Sequence, residues 1–240
     1  LQLDDPVSKH LGPGWSRAAP DEEAAITIYH LLTMTSGLGD DLSYVAPPGT
    51  RWHYSLGPTW HQLKPLLEAA TGDTLQRLTD NWLAGPLGME ESTWIDRPGM
   101  TYLDGRPIEA LLTSARDLVR FGDLVLNNGT VEGREILVAN SLTRLLKPSQ
   151  DLNRAYGLLW WLNGQRPFLR PSMEEPVDSV LIPDAPADTV AALGAMGQFC
   201  LVTPSRRTVI VRLGSAPRGD WTGGDLPNEL WQALNQTLFD

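Results

Sequence analysis

The stretch that decides the reading is PPGTRWHYSLGPTWHQLKPLLEAATG, residues 47–72. Its Pro-Pro-Gly makes a turn, a short aromatic segment follows, and apolar residues then recur at Trp60, Leu63, Leu66, Leu67 and Ala70. That is the spacing of one face of a helix. Gly72 closes it, because glycine takes the left-handed conformation of a helix C-terminus at no steric cost. Pro65 lacks an amide hydrogen, so it predicts a kink or a late helix start. Tyr54 stands just before the helix. Its position leaves two readings open: a phenol aimed into a cleft, or one more packed aromatic beside Trp52.

Further along, DTLQRLTDNWLAGPLGM (73–89) predicts a second helix capped by Asp73 or Thr74, with Leu75, Leu78 and Trp82 on one face and Gly85-Pro86 as its stop. TSARDLVRFGDLVLNNG (113–129) predicts a third, with a capping-box-like start at Ser114 and Asp117 and a stripe of Leu118, Phe121 and Val125. NSLTRLLKP (140–148) predicts a shorter fourth. The chain then changes character. YGLLWWL (156–162), GQFCLVTP (197–204) and TVIVRLG (208–214) are aromatic and β-branched runs that read as strands. PSRR (204–207) is a tight turn that makes the last two an antiparallel hairpin, and LPNELWQALNQTLF (226–239) is a closing amphipathic helix. Helices, then strands, then a helix is an α+β order rather than an alternating one.

Composition narrows the functions. The chain has 240 residues, 42% hydrophobic, with a net charge of −10 from 29 acidic and 19 basic residues. Nucleic acids and anionic membranes both select a basic face, so neither is an expected partner. No apolar run reaches the ~18 residues of a membrane span. Cys200 is the only cysteine, which rules out an intrachain disulfide. His10, His30, His53 and His61 have no metal-ligand spacing, and no phosphate loop or dinucleotide fingerprint is present. No metal or cofactor is therefore expected. Among serines, GWSRA (14–18) is one residue short of a nucleophile elbow, but it lies in a Pro/Gly loop and reads as a surface turn. Ser36 in TMTSGLG also reads as a turn. Asn128 in NGT reads as a helix C-terminal turn rather than a glycosylation acceptor.

Several stretches together resemble the serine β-lactamase and penicillin-binding-protein-like hydrolases, nearest the class C-related, esterase-like branch. They are LQLDDPVSKHLGPGW (1–15), ITIYHLLTMTSGL (26–38), the 47–72 block, LAGPLGMEESTW (83–94), TSARDLVRFGDLVLNNGTVEGREIL (113–137), YGLLWWLNG (156–164) and GAMGQFCLVTPSRRTVIVRLG (194–214). They follow the family's order and cover essentially the whole chain. The resemblance implies one β-lactamase-like domain over 1–240, with a mainly helical part at 26–150 and sheet strands and a C-terminal helix at 155–240. It implies an antiparallel sheet flanked by helices, with a helical subdomain and no cofactor. The implied substrate is a small ester, amide or peptide. Family members are often exported, which leaves the localisation of this chain open.

The family's chemistry uses a Ser-x-x-Lys nucleophile pair, a Tyr-x-Asn phenol and a Lys-Thr-Gly or His-x-Gly strand. A hydroxyl needs an adjacent base before it attacks, and backbone N–H groups then hold the oxyanion. Tyr54 matches the family tyrosine, which implies a base and acid role. Leu56 stands where the family has Asn. ALGAMGQF (192–199) matches the strand: Ala192 and Leu193 replace Lys and Thr, Gly194 is kept, and the amide of Ala195 is the implied oxyanion donor. Leu56, Leu193 and Gly194 would line the substrate. Without the strand cation, an uncharged ester or amide fits that wall better than a β-lactam. Three residues before Lys9, Lys64 and Lys147 stand Pro6, His61 and Arg144, so residues 1–240 hold no Ser-x-x-Lys. The expectation is therefore an N-terminally truncated hydrolase, inactive as it stands, with an exposed apolar sheet edge. The alternative is a non-catalytic binding module of the same fold, towards which Leu56 and Ala192 lean.

Overall fold

The computed structural model describes residues 1–171, 173, 175–215 and 225–238. The chain forms two compact units, Leu1–Gly85 with Glu91–Leu112, and Pro86–Glu90 with Thr113–Asp240.

The first unit begins with short helices α1 (Ser8–Leu11), α2 (Pro20–Ala24) and α3 (Ile28–Leu32). The ITIYH sequence caps α3 from both sides. Thr27 Oγ1 accepts from the His30 amide at 3.3 Å, and His30 Nδ1 accepts from the Thr27 amide at 3.1 Å. Burial lowers the pKa of His30, which keeps that nitrogen free to accept. A 3₁₀ turn at Trp60–Gln62 leads into α4 (Leu63–Thr71), so Pro65 falls in the first turn, where no intrahelical donor is needed. Gly72 closes α4 with φ 74°. The core gathers Val7, Trp15, Ile26, Ile28, Leu31, Leu38, Leu42 and Leu66.

The second expected helix departs from its reading in two ways. α5 (Leu75–Thr79), capped by Thr74, runs through a π-helical turn at Asp80–Ala84 into α6 (Gly85–Leu87), so Gly85-Pro86 does not stop it. The π turn adds a residue to the repeat and moves Trp82 off the Leu75–Leu78 face. Leu75 and Leu78 are buried, whereas Trp82 is 56% exposed. A hairpin with no counterpart in the sequence reading, β1 (Thr93–Thr101) and β2 (Pro107–Leu112), completes this unit.

In the second unit α7 (Ala115–Leu126) is capped by Ser114 Oγ, which accepts from the Asp117 amide at 3.2 Å. Asn128 sits in the turn after it, with φ 52°. A two-residue ladder, β3 (Thr130–Val131) and β4 (Arg134–Glu135), precedes α8 (Ala139–Leu145). The sheet is antiparallel in the order β5 (Trp161–Leu162), β6 (Val190–Gly194), β7 (Gln198–Thr203), β8 (Thr208–Arg212). The Pro204–Arg207 turn joins the last two, as expected.

YGLLWWL is not one strand. Leu159 has φ 61°, Tyr156 bridges back to Trp161, and only Trp161–Leu162 join the sheet. α7 packs on β7 and β8 so closely that a Cβ on Gly122 would lie 2.4 Å from Val209 Cγ1. Val125, Leu142, Trp160, Leu162, Val190, Cys200 and Val202 form this core, with Phe121 stacked on Trp160. α9 (Leu226–Leu238) buries Trp231; Phe239, read as its last residue, lies outside the described residues. No helix among the described residues is long and apolar enough to cross a membrane.

Candidate active site

Tyr54 lies in the irregular segment between the Pro-Gly turn and the 3₁₀ turn, half-buried, its ring 6.3 Å from that of buried Trp52. Side chains and carbonyls from residues 34–40 fix this segment. The His53 amide donates to the Met34 carbonyl at 2.8 Å, and Asp40 Oδ1 pairs with His53 Nε2 at 3.0 Å and accepts from the Leu56 amide at 2.9 Å. Thr59 Oγ1 donates to the Gly39 carbonyl at 2.9 Å and accepts from Ser55 Oγ at 3.0 Å. Gly57 is required by the closeness of that contact, since a Cβ there would lie 1.8 Å from the Asp40 carbonyl oxygen. At Leu56, where the family has an amide side chain, the chain offers a half-buried alkyl group, and its backbone N–H is spent on Asp40.

The same unit holds ionisable groups to which sequence reasoning gave no site role. Burial raises the Tyr54 phenol pKa, and the charge of Arg97 on β1 partly opposes it. His61 is buried and stacked on Trp60 at 3.7 Å, with no hydrogen-bond partner for Nδ1 among the described residues. Its burial, with help from the Lys64 and Arg97 charges, lowers its pKa to about 3. Lys64 is buried in the first turn of α4. Its Nζ donates to the Glu109 carbonyl and lies 5.2 Å from the centre of the Trp94 ring. Burial lowers its pKa to about 8 against a smaller opposite pull from Glu109. Tyr102 closes the group, donating to Glu109 Oε2 at 3.0 Å. Burial, then Glu109, raises the pKa of that phenol. One signal in the sequence pointed here: Lys64 follows Trp60 by four residues and so interrupts the apolar face of α4 with a charge.

The strand residues belong to the second unit. Ala192 and Leu193 are half-buried near the end of β6, and Gly194, the last residue of that strand, is exposed. Gly194 pairs with Gln198, so Ala195, Met196 and Gly197 form a three-residue hairpin loop with Met196 at φ 64°. Ala195 is exposed at its first position. Arg212 on β8 ties the loop, Nη1 donating to the Gly197 carbonyl at 2.8 Å and Nη2 to the Ser215 carbonyl at 2.7 Å. Cys200, opposite Ala192 in the β6–β7 ladder, is a buried thiol whose burial pushes its pKa up to about 12.

The two serines weighed in the sequence are held by hydrogen bonds. Ser36 Oγ accepts from the Leu38 amide at 3.3 Å, as suits a turn. Ser16 is buried rather than on the surface, its Oγ donating to the buried Glu23 carboxylate at 2.6 Å. That carboxylate also accepts from the Gly14 and Ser16 amides. A cavity of about 370 Å³ in the second unit, lined by Arg120, Asp123, Asn127 and Glu132 among others, includes none of the expected site residues.

A family model described as Beta-lactamase matches residues 1–233. Esterase EstB of Burkholderia gladioli is 31% identical over 145 residues, a match covering 45% of this chain and 36% of that protein. This chain therefore aligns with little more than a third of its curated relative. A penicillin-binding-protein homologue from Caulobacter crescentus superposes over 99% of this chain and 77% of its own, with TM-score 0.69 and 15% identity. The penicillin-binding protein of Bacillus halodurans covers 100% of this chain and 78% of its own, with TM-score 0.65 and 18% identity. Identities this low speak for the fold alone.

Proposed function

Because the chain belongs to the β-lactamase family, we propose that it is part of a serine hydrolase that cleaves an ester or amide through an acyl-serine intermediate. The chain is taken as one β-lactamase-like domain over 1–240. Tyr54 is the base and acid that works with the nucleophile, the Ala195 N–H is the oxyanion donor, and Leu56, Leu193 and Gly194 line the substrate. The esterase relative supports an ester over a β-lactam, and so does the replacement of the strand cation by Ala192. The observation that carries the reading is the fixation of Tyr54. Side-chain bonds from Asp40 and Thr59 hold its segment in one place, which is what a positioned proton carrier requires.

Residues 1–240 contain no Ser-x-x-Lys, so the acylating pair is proposed to lie outside them. The test compares the 240-residue chain with the product of the reading frame extended upstream of Leu1, using a fluorophosphonate probe and 4-nitrophenyl butyrate. The expected result is that the 240-residue chain stays unlabelled and the longer product is labelled on serine. Tyr54→Phe should then lower its kcat by about 10²–10⁴-fold. Labelling of the 240-residue chain would refute the outside placement. A longer product carrying the motif yet inert would favour the non-catalytic binding module.

A further inference from the structure

Tyr54 is flanked in the chain by two groups that meet one acceptor. His53 Nε2 lies 3.0 Å from Asp40 Oδ1, and the Leu56 amide donates to the same oxygen at 2.9 Å. That oxygen takes an amide proton from Leu56 and so acts as an acceptor, which puts the imidazole proton of this pair on Nε2. Asp40 is carried by a small loop closed by the Leu38–Tyr44 bridge and by the Gly39 amide on the Ser43 carbonyl at 2.9 Å. The carboxylate of its neighbour Asp41 is spent within that loop, accepting from the Ser43 amide at 3.0 Å and the Ser43 hydroxyl at 2.5 Å. Of the two adjacent acids, Asp40 is thus the one that reaches the Tyr54 segment. The side chains are 24% exposed at His53 and 50% at Asp40, so water competes for the carboxylate, and a pair this exposed adds little to stability. Its effect is geometric. With the imidazole proton on it, the Asp40 oxygen stays turned toward the Leu56 N–H.

We propose that His53 is a positioning residue for Tyr54: by donating to Asp40 it holds that carboxylate on the Leu56 amide, and so fixes the backbone on both sides of the tyrosine. The catalytic consequence rests on the hydrolase reading of Tyr54 given above; the coupling of His53 to Tyr54 does not. The His53 amide is held separately by the Met34 carbonyl at 2.8 Å, and buried Ser55 is held through Thr59 to the Gly39 carbonyl. Loss of the imidazole therefore releases the Asp40 carboxylate to water without unfolding the segment. What changes is the direction of the phenol, and a displacement of ~1 Å in a proton carrier costs about 10²-fold in rate.

The test uses the 240-residue chain labelled with ¹³C at tyrosine Cζ. The signal missing in Tyr54→Phe identifies Tyr54. Two variants without an aromatic ring are compared, so that ring-current effects cancel: His53→Leu removes the donor, and His53→Gln keeps an amide donor near the Nε2 position. His53→Leu should shift or broaden the Tyr54 signal with the melting temperature unchanged within about 2 °C, and His53→Gln should recover most of it. In an Asp40→Ala background the difference between the Leu and Gln variants should vanish, because His53 acts through Asp40. A Tyr54 signal that is the same in the two variants, or a difference that persists without Asp40, would overturn the proposal. Circular dichroism monitors folding, and if His53→Leu unfolds, His53→Ala takes its place. In the product extended upstream of Leu1, His53→Leu should lower kcat by about tenfold to 10²-fold with KM within about threefold, and an unchanged kcat in an active product would also overturn it. Failure of the hydrolase reading is distinct: the extended product is then inert, while the Tyr54 signal still separates the Leu and Gln variants.

Discussion

The segment carrying Tyr54 and the turn carrying Ala195 are held in place by different means. The first has no regular backbone pairing. Asp40, Thr59 and the Met34 carbonyl pin it, through contacts that cross up to twenty residues of sequence. The second closes a regular antiparallel ladder, and one arginine ties its carbonyl. They also differ in charge. The charge of Arg97 bears on the Tyr54 phenol, whereas Cys200, on β7 just past the strand turn, is kept neutral by burial. Side-chain pinning permits an unusual phenol environment but concentrates its dependence on a few atoms. Ladder pairing spreads that dependence over many bonds.

The largest expected effect tests the pinning. Gly57→Ala places a methyl on the Asp40 carbonyl, and backbone cannot yield as a flexible side chain can. A loss of about 3 kcal/mol is expected, measured by urea unfolding, together with exchange of the 53–57 amides. A change below ~0.5 kcal/mol would mean that the 38–41 loop moves freely, and the contrast with the strand turn would disappear.

Next comes pH. The folded pKa of Lys64 is about 8, below its ordinary 10.5. As pH falls from 10.5 the unfolded chain takes up a proton that the folded chain refuses, so stability declines down to about pH 8 and then levels. His61, at about 3 against 6.5, behaves likewise between those values. Lys64→Met should remove the alkaline slope, on the order of 1–2 kcal/mol after screening, as read from melting across pH 8–10.5. An unchanged slope would place the lysine in water.

Much of this was legible in the residues. Helices α4 and α7 and the β7–β8 hairpin follow from apolar periodicity and from the cap and turn residues Gly72, Ser114 and Pro204. Their physics is local, so sequence carries it. The π turn after α5 was not legible, because the π-helical bonding at 80–84 is a tertiary choice that leaves Trp82 with no distinctive spacing. Hairpin β1–β2 has burial that does not alternate along β1, so the period-2 signal was absent. Asp40 was invisible for a related reason. Its partners, His53 and the Leu56 amide, lie 13 and 16 residues along the chain, and nothing in an Asp on its own says which segment it pins.

A smaller effect is expected for Asp40→Ala, which removes the acceptor of both His53 Nε2 and the Leu56 amide. The carboxylate is half exposed, so water replaces part of what is lost, and about 1 kcal/mol is expected. The Tyr54 ¹³Cζ signal should broaden or shift, because the segment is freed even though the phenol itself is untouched. Asp40→Asn keeps an acceptor oxygen and should recover most of the signal. An unperturbed Tyr54 in the alanine variant would remove Asp40 from the pinning.

The smallest effect tests the other side of the contrast. Arg212→Met deletes the bonds to the Gly197 and Ser215 carbonyls, but the β6–β7 ladder on either side of the loop remains. Its Gly197 bond is partly buried and charge-assisted, yet water reaches the exposed loop. The cost should stay near ~1 kcal/mol. Amide exchange should speed up at Ala195–Gly197 and stay unchanged at Phe199–Val202, since neighbouring ladder pairs hold each strand independently of the tie. If exchange instead quickened along the whole of β7, the ladder would depend on the arginine. The strand turn would then be pinned by a side chain in the same sense as Tyr54, and the two regions would differ in charge alone.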